Sequence, residues 1–152
     1  MIAYDMDMTE SLILKIAVAA KFWEGLDYLP PPNLTRAQLV AGMRLMVPLG
    51  RRQVVGVLLS VQTQTSIPHD KMRAAIEVLD DTPLLSQPLI QLLQWVSDYY
   101  HYPIGETIMT ALPKGLRQGK PATVIPVEHA VTNHRRRIVI GHALVARPFL
   151  DE

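Results

Sequence analysis

Apolar positions come first as a block. Residues 12–20 (LILKIAVAA) are interrupted only by Lys15 and read as a first strand. Pro30, Pro31 and Pro32 then impose an extended connection, because consecutive prolines offer no donors to a ladder or helix. Met43–Leu49 alternates as a half-buried strand does, with Arg44 on the face opposite Met43 and Leu45. Gly50-Arg51-Arg52 predicts a hairpin connection, and Gln53–Gln62 returns as a β-branched strand. Gly56 within that strand predicts a bulge or a close backbone approach. A further short strand is expected at Ala74–Leu79.

The period changes after Pro83. Ser86 is placed as an N-cap, Pro88 falls in a first helical turn, and Leu89, Leu92, Leu93, Val96 and Tyr100 recur at helical spacing. Pro103 ends that helix near Tyr102, and Ile104–Leu112 predicts a second, closed by Pro113 and Gly115. Short strands followed by helices give a β-rich α+β fold: a small, partly open β-barrel with one or two C-terminal helices packed against it. The organisation expected is a frayed acidic leader over 1–11, a β-rich domain over 12–113 and a basic linker and tail over 114–152.

Composition narrows the function classes. The chain has 152 residues, 49% of them apolar, enough for one small core. It has no cysteine, which excludes a disulfide framework, a zinc ribbon and a thiol nucleophile and suits a cytoplasmic setting. No apolar stretch is long enough to span a membrane, and the acidic start does not suit a secretory signal. The net charge is only +1, but it is segregated. Residues 33–73 carry Arg36, Arg44, Arg51, Arg52, Lys71 and Arg73 against Asp70 alone. Residues 74–113 carry Glu77, Asp80, Asp81, Asp98 and Glu106 with no Lys or Arg. Lys114, Arg117, Lys120 and Arg135–Arg137 then restore a basic stretch. Such segregation fits a polyanion on one face, or simply solvated loops.

Catalytic machinery is hard to find. Gly115–Pro121 imitates a phosphate loop but has three residues between its glycines, and Pro121 stands where a magnesium-binding Ser or Thr is required. His69, His101, His129, His134 and His142 are scattered, without carboxylates at ligand spacing. Asp80-Asp81 suits a turn better than an acid–base pair. Tyr99, Tyr100 and Tyr102 suit a core-sealing role at a helix end better than base stacking. Phe22-Trp23, in a loop beside Lys21, suits either a base or a protein partner.

Several segments, in order, carry a family resemblance. They are Leu26-Asp27-Tyr28-Leu29-Pro30, Val47-Pro48-Leu49-Gly50, Ala75–Asp80, Asp98-Tyr99-Tyr100-His101-Tyr102-Pro103-Ile104-Gly105, and Ala111-Leu112-Pro113 with Arg117–Pro121. The series resembles the N-terminal region of the primosomal replication-restart helicases, the PriA family, over residues 12–122. The resemblance implies a β-rich module over 12–113 that binds the 3′ end of a nascent strand on forked DNA. It places the end pocket at Leu26, Asp27, Tyr28, Gly50 and Arg73, where the family usually has Phe and Lys at the first and last of these positions. Arg51, Arg52, Lys114, Arg117 and Lys120 are candidates for backbone contacts.

The resemblance implies no catalysis and no metal or other cofactor in this chain, since ATP and zinc belong to other parts of full-length family members. It reads residues 123–152 as a truncated or altered start of a winged helix. Other primosome proteins are expected partners, and a membrane is not. The alternative is a protein–protein interaction domain, docking through Phe22-Trp23 and the acidic 74–113 region. For Asp27 itself, turn capping competes with a role in the pocket.

Overall fold

A computed structural model describes residues 12–122 and a short antiparallel pair, Val139–Ile140 with Leu144–Val145. The leader over 1–11 and the winged-helix reading of the tail lie outside the described residues. The strands are β1 (Ile13–Val18), β2 (Leu26–Tyr28), β3 (Arg44–Leu49), β4 (Arg52–Gln62) and β5 (Glu77–Val78). The helices are α1 (Gln87–Tyr100), α2 (Ile104–Thr110) and α3 (Lys114–Arg117).

The strands form one antiparallel sheet in the order β2-β1-β4-β3-β5. The sheet is not closed. A single parallel bridge, Leu29 with Ala74, joins the end of β2 to the approach to β5. The expected α+β class is therefore observed, with helices after the strands.

β1 is apolar on both faces because both are covered. Leu14, Ile16 and Val18 join Tyr28, Leu45, Val47 and Leu58 in one cluster, while Ala17 joins Val57 and Leu59 under α1 and α2. Alternation fails as a signal for such a strand, and length and β-branched content identify it instead. The β3–β4 connection is a two-residue turn: Leu49 pairs with Arg52, and Gly50 takes the positive φ of 60° that a type II′ hairpin needs at its first central position.

Of the two options at Gly56, close approach is the one realised. A Cβ there would lie 2.4 Å from the Ile16 Cγ2. The irregularity falls further along β4: Lys15 pairs with Ser60 and Ile16 with Leu58, leaving Leu59 as the extra residue.

α1 ends with His101 in the left-handed region, and the Ser97 hydroxyl donates to the Tyr102 carbonyl at 2.5 Å. Its inner face is Ile90, Leu93 and Ser97, flanked by Leu89 and Val96. Leu92 and Tyr100, expected inside, are exposed. Tyr99, Tyr100 and Tyr102 are each at least half exposed, so they do not seal the core. The helix is apolar on two sides, and periodicity alone does not say which side packs. α2 lies directly on β1: a Cβ on Gly105 would fall 1.6 Å from the Val18 carbonyl oxygen. The Asp98-to-Gly105 segment of the family resemblance thus has a steric basis at its glycine.

Candidate nucleic-acid interface

The expected pocket residues gather around the β2 edge, but their side chains divide between its faces. Successive residues of a strand point to opposite sides. Tyr28 turns into the core with Leu26 packed beside it, and Asp27 turns the other way. There Asp27 lies directly opposite Lys15 of β1, and the Lys15 Nζ is 2.7 Å from its Oδ1. The Thr65 hydroxyl donates to its Oδ2 at 2.5 Å, and the Gln62 amide reaches Oδ1 at 3.4 Å. The carboxylate is 7% exposed. These partners were not foreseen; Lys15, the single cation in an apolar strand, was the available signal.

On the other side, Tyr28, Gly50 and Arg73 come together. The buried Tyr28 hydroxyl donates to the Pro48 carbonyl at 2.8 Å, two residues before Gly50. Arg73 Nη1 donates to the Gly50 carbonyl at 2.7 Å, and the Arg73 carbonyl accepts from the Leu29 amide at 3.0 Å. Arg73 therefore adjoins β2 through its backbone and the hairpin turn through its side chain. Burial raises the Tyr28 pKa above its usual value, and the Arg73 charge partly offsets the rise. Pro48, Gly50, Arg51, Arg52, Arg73 and Ile76 line an open depression here. Nothing lies within 4 Å of where a Gly50 side chain would begin. Three guanidinium groups, on exposed Arg51, Arg52 and Arg73, border that bare backbone.

The second basic stretch is packed rather than loose. Lys114 and Arg117 are exposed on α3, while Leu116 is buried. Gly119 takes a φ of 82° and lies over Met46 and Val55. What holds the stretch is Arg44, which sits on the face opposite Met43 and Leu45 as expected yet is completely buried. Its partner Asp80 is likewise buried as an ion-pair member, beyond the turn role expected of Asp80-Asp81. Charged residues in a single sequence read as exposed, so this pair was missed.

Trp95 stacks on Tyr99 with ring centroids 5.0 Å apart, and Trp23 meets His101 edge-on at 6.4 Å. Phe22 and Trp23 are exposed, as expected of their loop. Among the described residues, no group of three or more His, Cys, Asp or Glu is placed to hold a metal ion, and no helix is long and apolar enough to cross a membrane.

Comparison with known proteins agrees with the resemblance in the residues. The sequence profile of the PriA 3′ DNA-binding domain matches residues 15–113. The replication restart protein PriA of Haemophilus influenzae is 32% identical over 110 residues, which is 72% of this chain and 15% of that protein. PriA of Chlamydia pneumoniae is 30% identical over 110 residues, 72% of this chain and 14% of that protein. PriA of Bacillus subtilis is 32% identical over 72 residues, 47% of this chain and 9% of that protein. The chain thus spans a small part of the length of these relatives. With a profile match over most of its length, the chain belongs to the PriA 3′ DNA-binding domain family.

Proposed function

We propose that this chain is the DNA-binding module of a replication-restart protein and recognises the free 3′-hydroxyl end of a nascent strand on forked DNA, without catalysis of its own. The observation that carries the proposal is the meeting of Arg73 with the Gly50 carbonyl beside bare backbone, next to Arg51 and Arg52. A base edge approaching Gly50 meets no Cβ there, so it can contact backbone groups beside the Arg73 guanidinium whatever its identity. Arg73 keeps further donors for a sugar or phosphate oxygen.

Asp27 completes the site from the far side of the β2 edge. A carboxylate offers about four acceptor positions, and the 3.4 Å Gln62 contact is the weakest of those in use. A terminal 3′-hydroxyl donates there, whereas an internal nucleotide brings a phosphate that the carboxylate repels. Binding to forks that differ only in a 3′-hydroxyl or 3′-phosphate terminus tests this. Preference for the hydroxyl is expected, and equal binding contradicts the pocket.

A second reading, a protein-docking module within a primosome-like assembly, is favoured by the exposed Phe22, Trp23, Trp95 and Tyr99. It predicts little affinity for short DNA at moderate salt.

A further inference from the structure

Among the described residues Arg44 is the largest fully buried side chain, and its donors link three separate stretches of chain. On one side Nε and Nη2 meet the Asp80 carboxylate at 3.0 and 2.6 Å, and the Asp80 Oδ2 also accepts the Arg44 backbone amide at 2.9 Å. On the other side Nη1 donates to the carbonyls of Leu116 and Lys120 at 2.7 and 2.9 Å. Those carbonyls bracket the turn that closes α3, where the Lys120 amide also bonds to Gly115 at 3.0 Å. A helix of four residues does not hold itself in water, so its position depends on such anchors.

Stability alone is a poor explanation for a buried ion pair at this point. Desolvating the two charges offsets much of their attraction, and apolar residues of similar volume often serve as well. What an apolar residue does not supply is a planar fork that grips two carbonyls while a carboxylate fixes its other edge. The gripped segment carries exposed Lys114 and Arg117. Gly119 sits over Met46, about 13 Å along the chain from Gly50 at ~3.3 Å per residue.

We propose that Arg44 is a positioning residue for DNA binding: by holding the Leu116 and Lys120 carbonyls it fixes Lys114 and Arg117 as phosphate contacts continuous with Arg51 and Arg52. This rests on the DNA-binding reading above. It makes the salt dependence of binding, and not the preference for a 3′ end, the property under Arg44's control.

The test measures binding of the full chain to a 3′-ended single strand over a range of salt. It compares the unmodified protein, the double variant Lys114→Ala/Arg117→Ala, Arg44→Lys, the triple combination and Asp80→Asn. Losing two contacts lowers the log–log salt slope by about 1.4 in the double variant. Arg44→Lys keeps a cation beside Asp80 but loses the fork on the two carbonyls. It is expected to lower the slope equally, to add nothing in the triple variant, and to leave the 3′-hydroxyl preference intact. Asp80→Asn keeps Arg44 Nη1 on the two carbonyls and one oxygen acceptor at the fork's other edge, and is expected to keep the slope.

A normal slope in Arg44→Lys beside a lowered one in the double variant overturns the inference. So does an equal fall in Asp80→Asn, which would make general destabilisation the cause. An unchanged slope in the double variant also overturns it, but places the failure in reading α3 as a DNA contact. If Arg44→Lys does not fold, amide exchange in the unmodified chain decides. Gly119 and Lys120 are expected to be protected like β3 without DNA, and exchange at exposed-loop rates contradicts the clamp.

Discussion

Lys15 and Asp27 face each other across the β1–β2 ladder with 2.7 Å between ammonium and carboxylate, on the side of β2 away from Tyr28. In the proposed 3′-end site, this pair would set the charge that a terminus meets at this edge. As the proposed acceptor, a carboxylate paired with Lys15 would be less hostile to phosphate than an unpaired one.

Replacing Asp27 by Asn removes the charge with almost no change of shape. Affinity for hydroxyl-ended strands is expected to fall by about 1.5–3 kcal/mol, roughly tenfold or more, the size of one charge-assisted bond. Discrimination against 3′-phosphate is expected to fall further than affinity does. Retained discrimination in an equilibrium titration would make Asp27 a structural partner of Lys15 and Thr65.

Lys15→Met works in the opposite sense on the same ratio. Without its ammonium, Asp27 repels a terminal phosphate more strongly, and the hydroxyl-to-phosphate preference is expected to rise. Stability falls as well, because a largely buried carboxylate loses its partner. Binding assays on the two kinds of end, with urea unfolding alongside, separate these effects.

Arg73 and the hairpin arginines should part company. Arg51→Ala and Arg52→Ala are expected to weaken binding to all DNA about equally, with a slope loss of about 0.7 for each contact to a single strand. Arg73→Ala is expected to penalise ended strands more than continuous ones, while Arg73→Lys, the usual family residue, is tolerated. End preference untouched by both Arg73 variants would remove Arg73 from the site.

Tyr28 makes stability depend on alkaline pH. Its folded pKa is raised by burial, so the native state keeps a proton that the unfolded chain releases above about pH 10. The stabilisation is complete below the unfolded pKa and is lost as pH rises through the folded value. Tyr28→Phe is expected to cost about 1 kcal/mol at neutral pH through the lost Pro48 bond and to flatten this alkaline fall in urea titrations. An unchanged alkaline profile would mean that Tyr28 is not the titrating group.

How much of this was legible in the sequence follows from where charge and apolar residues fall. The strands, the Gly50 turn and the helix after Ser86 were readable because β-branched runs, a glycine and a proline mark them locally. The inner face of α1 was not, since Leu92, Trp95 and Tyr99 make its outer face equally apolar. Arg44 was placed on the correct side of β3, yet its burial depends on Leu116 and Lys120, more than seventy residues away. The pocket residues came from the family resemblance. Local sequence did not show that Asp27 and Tyr28 point to opposite faces with Lys15 and Arg73 as their respective neighbours.

Recognition of a free 3′ end stands or falls on competition between a linear single strand with a 3′-hydroxyl and its circularised form at one fixed salt concentration. The two share sequence and nearly all of their charge, and only one has an end. The linear strand is expected to bind at least about tenfold more tightly, the worth of one charge-assisted bond. Equal affinity for the circle would contradict it.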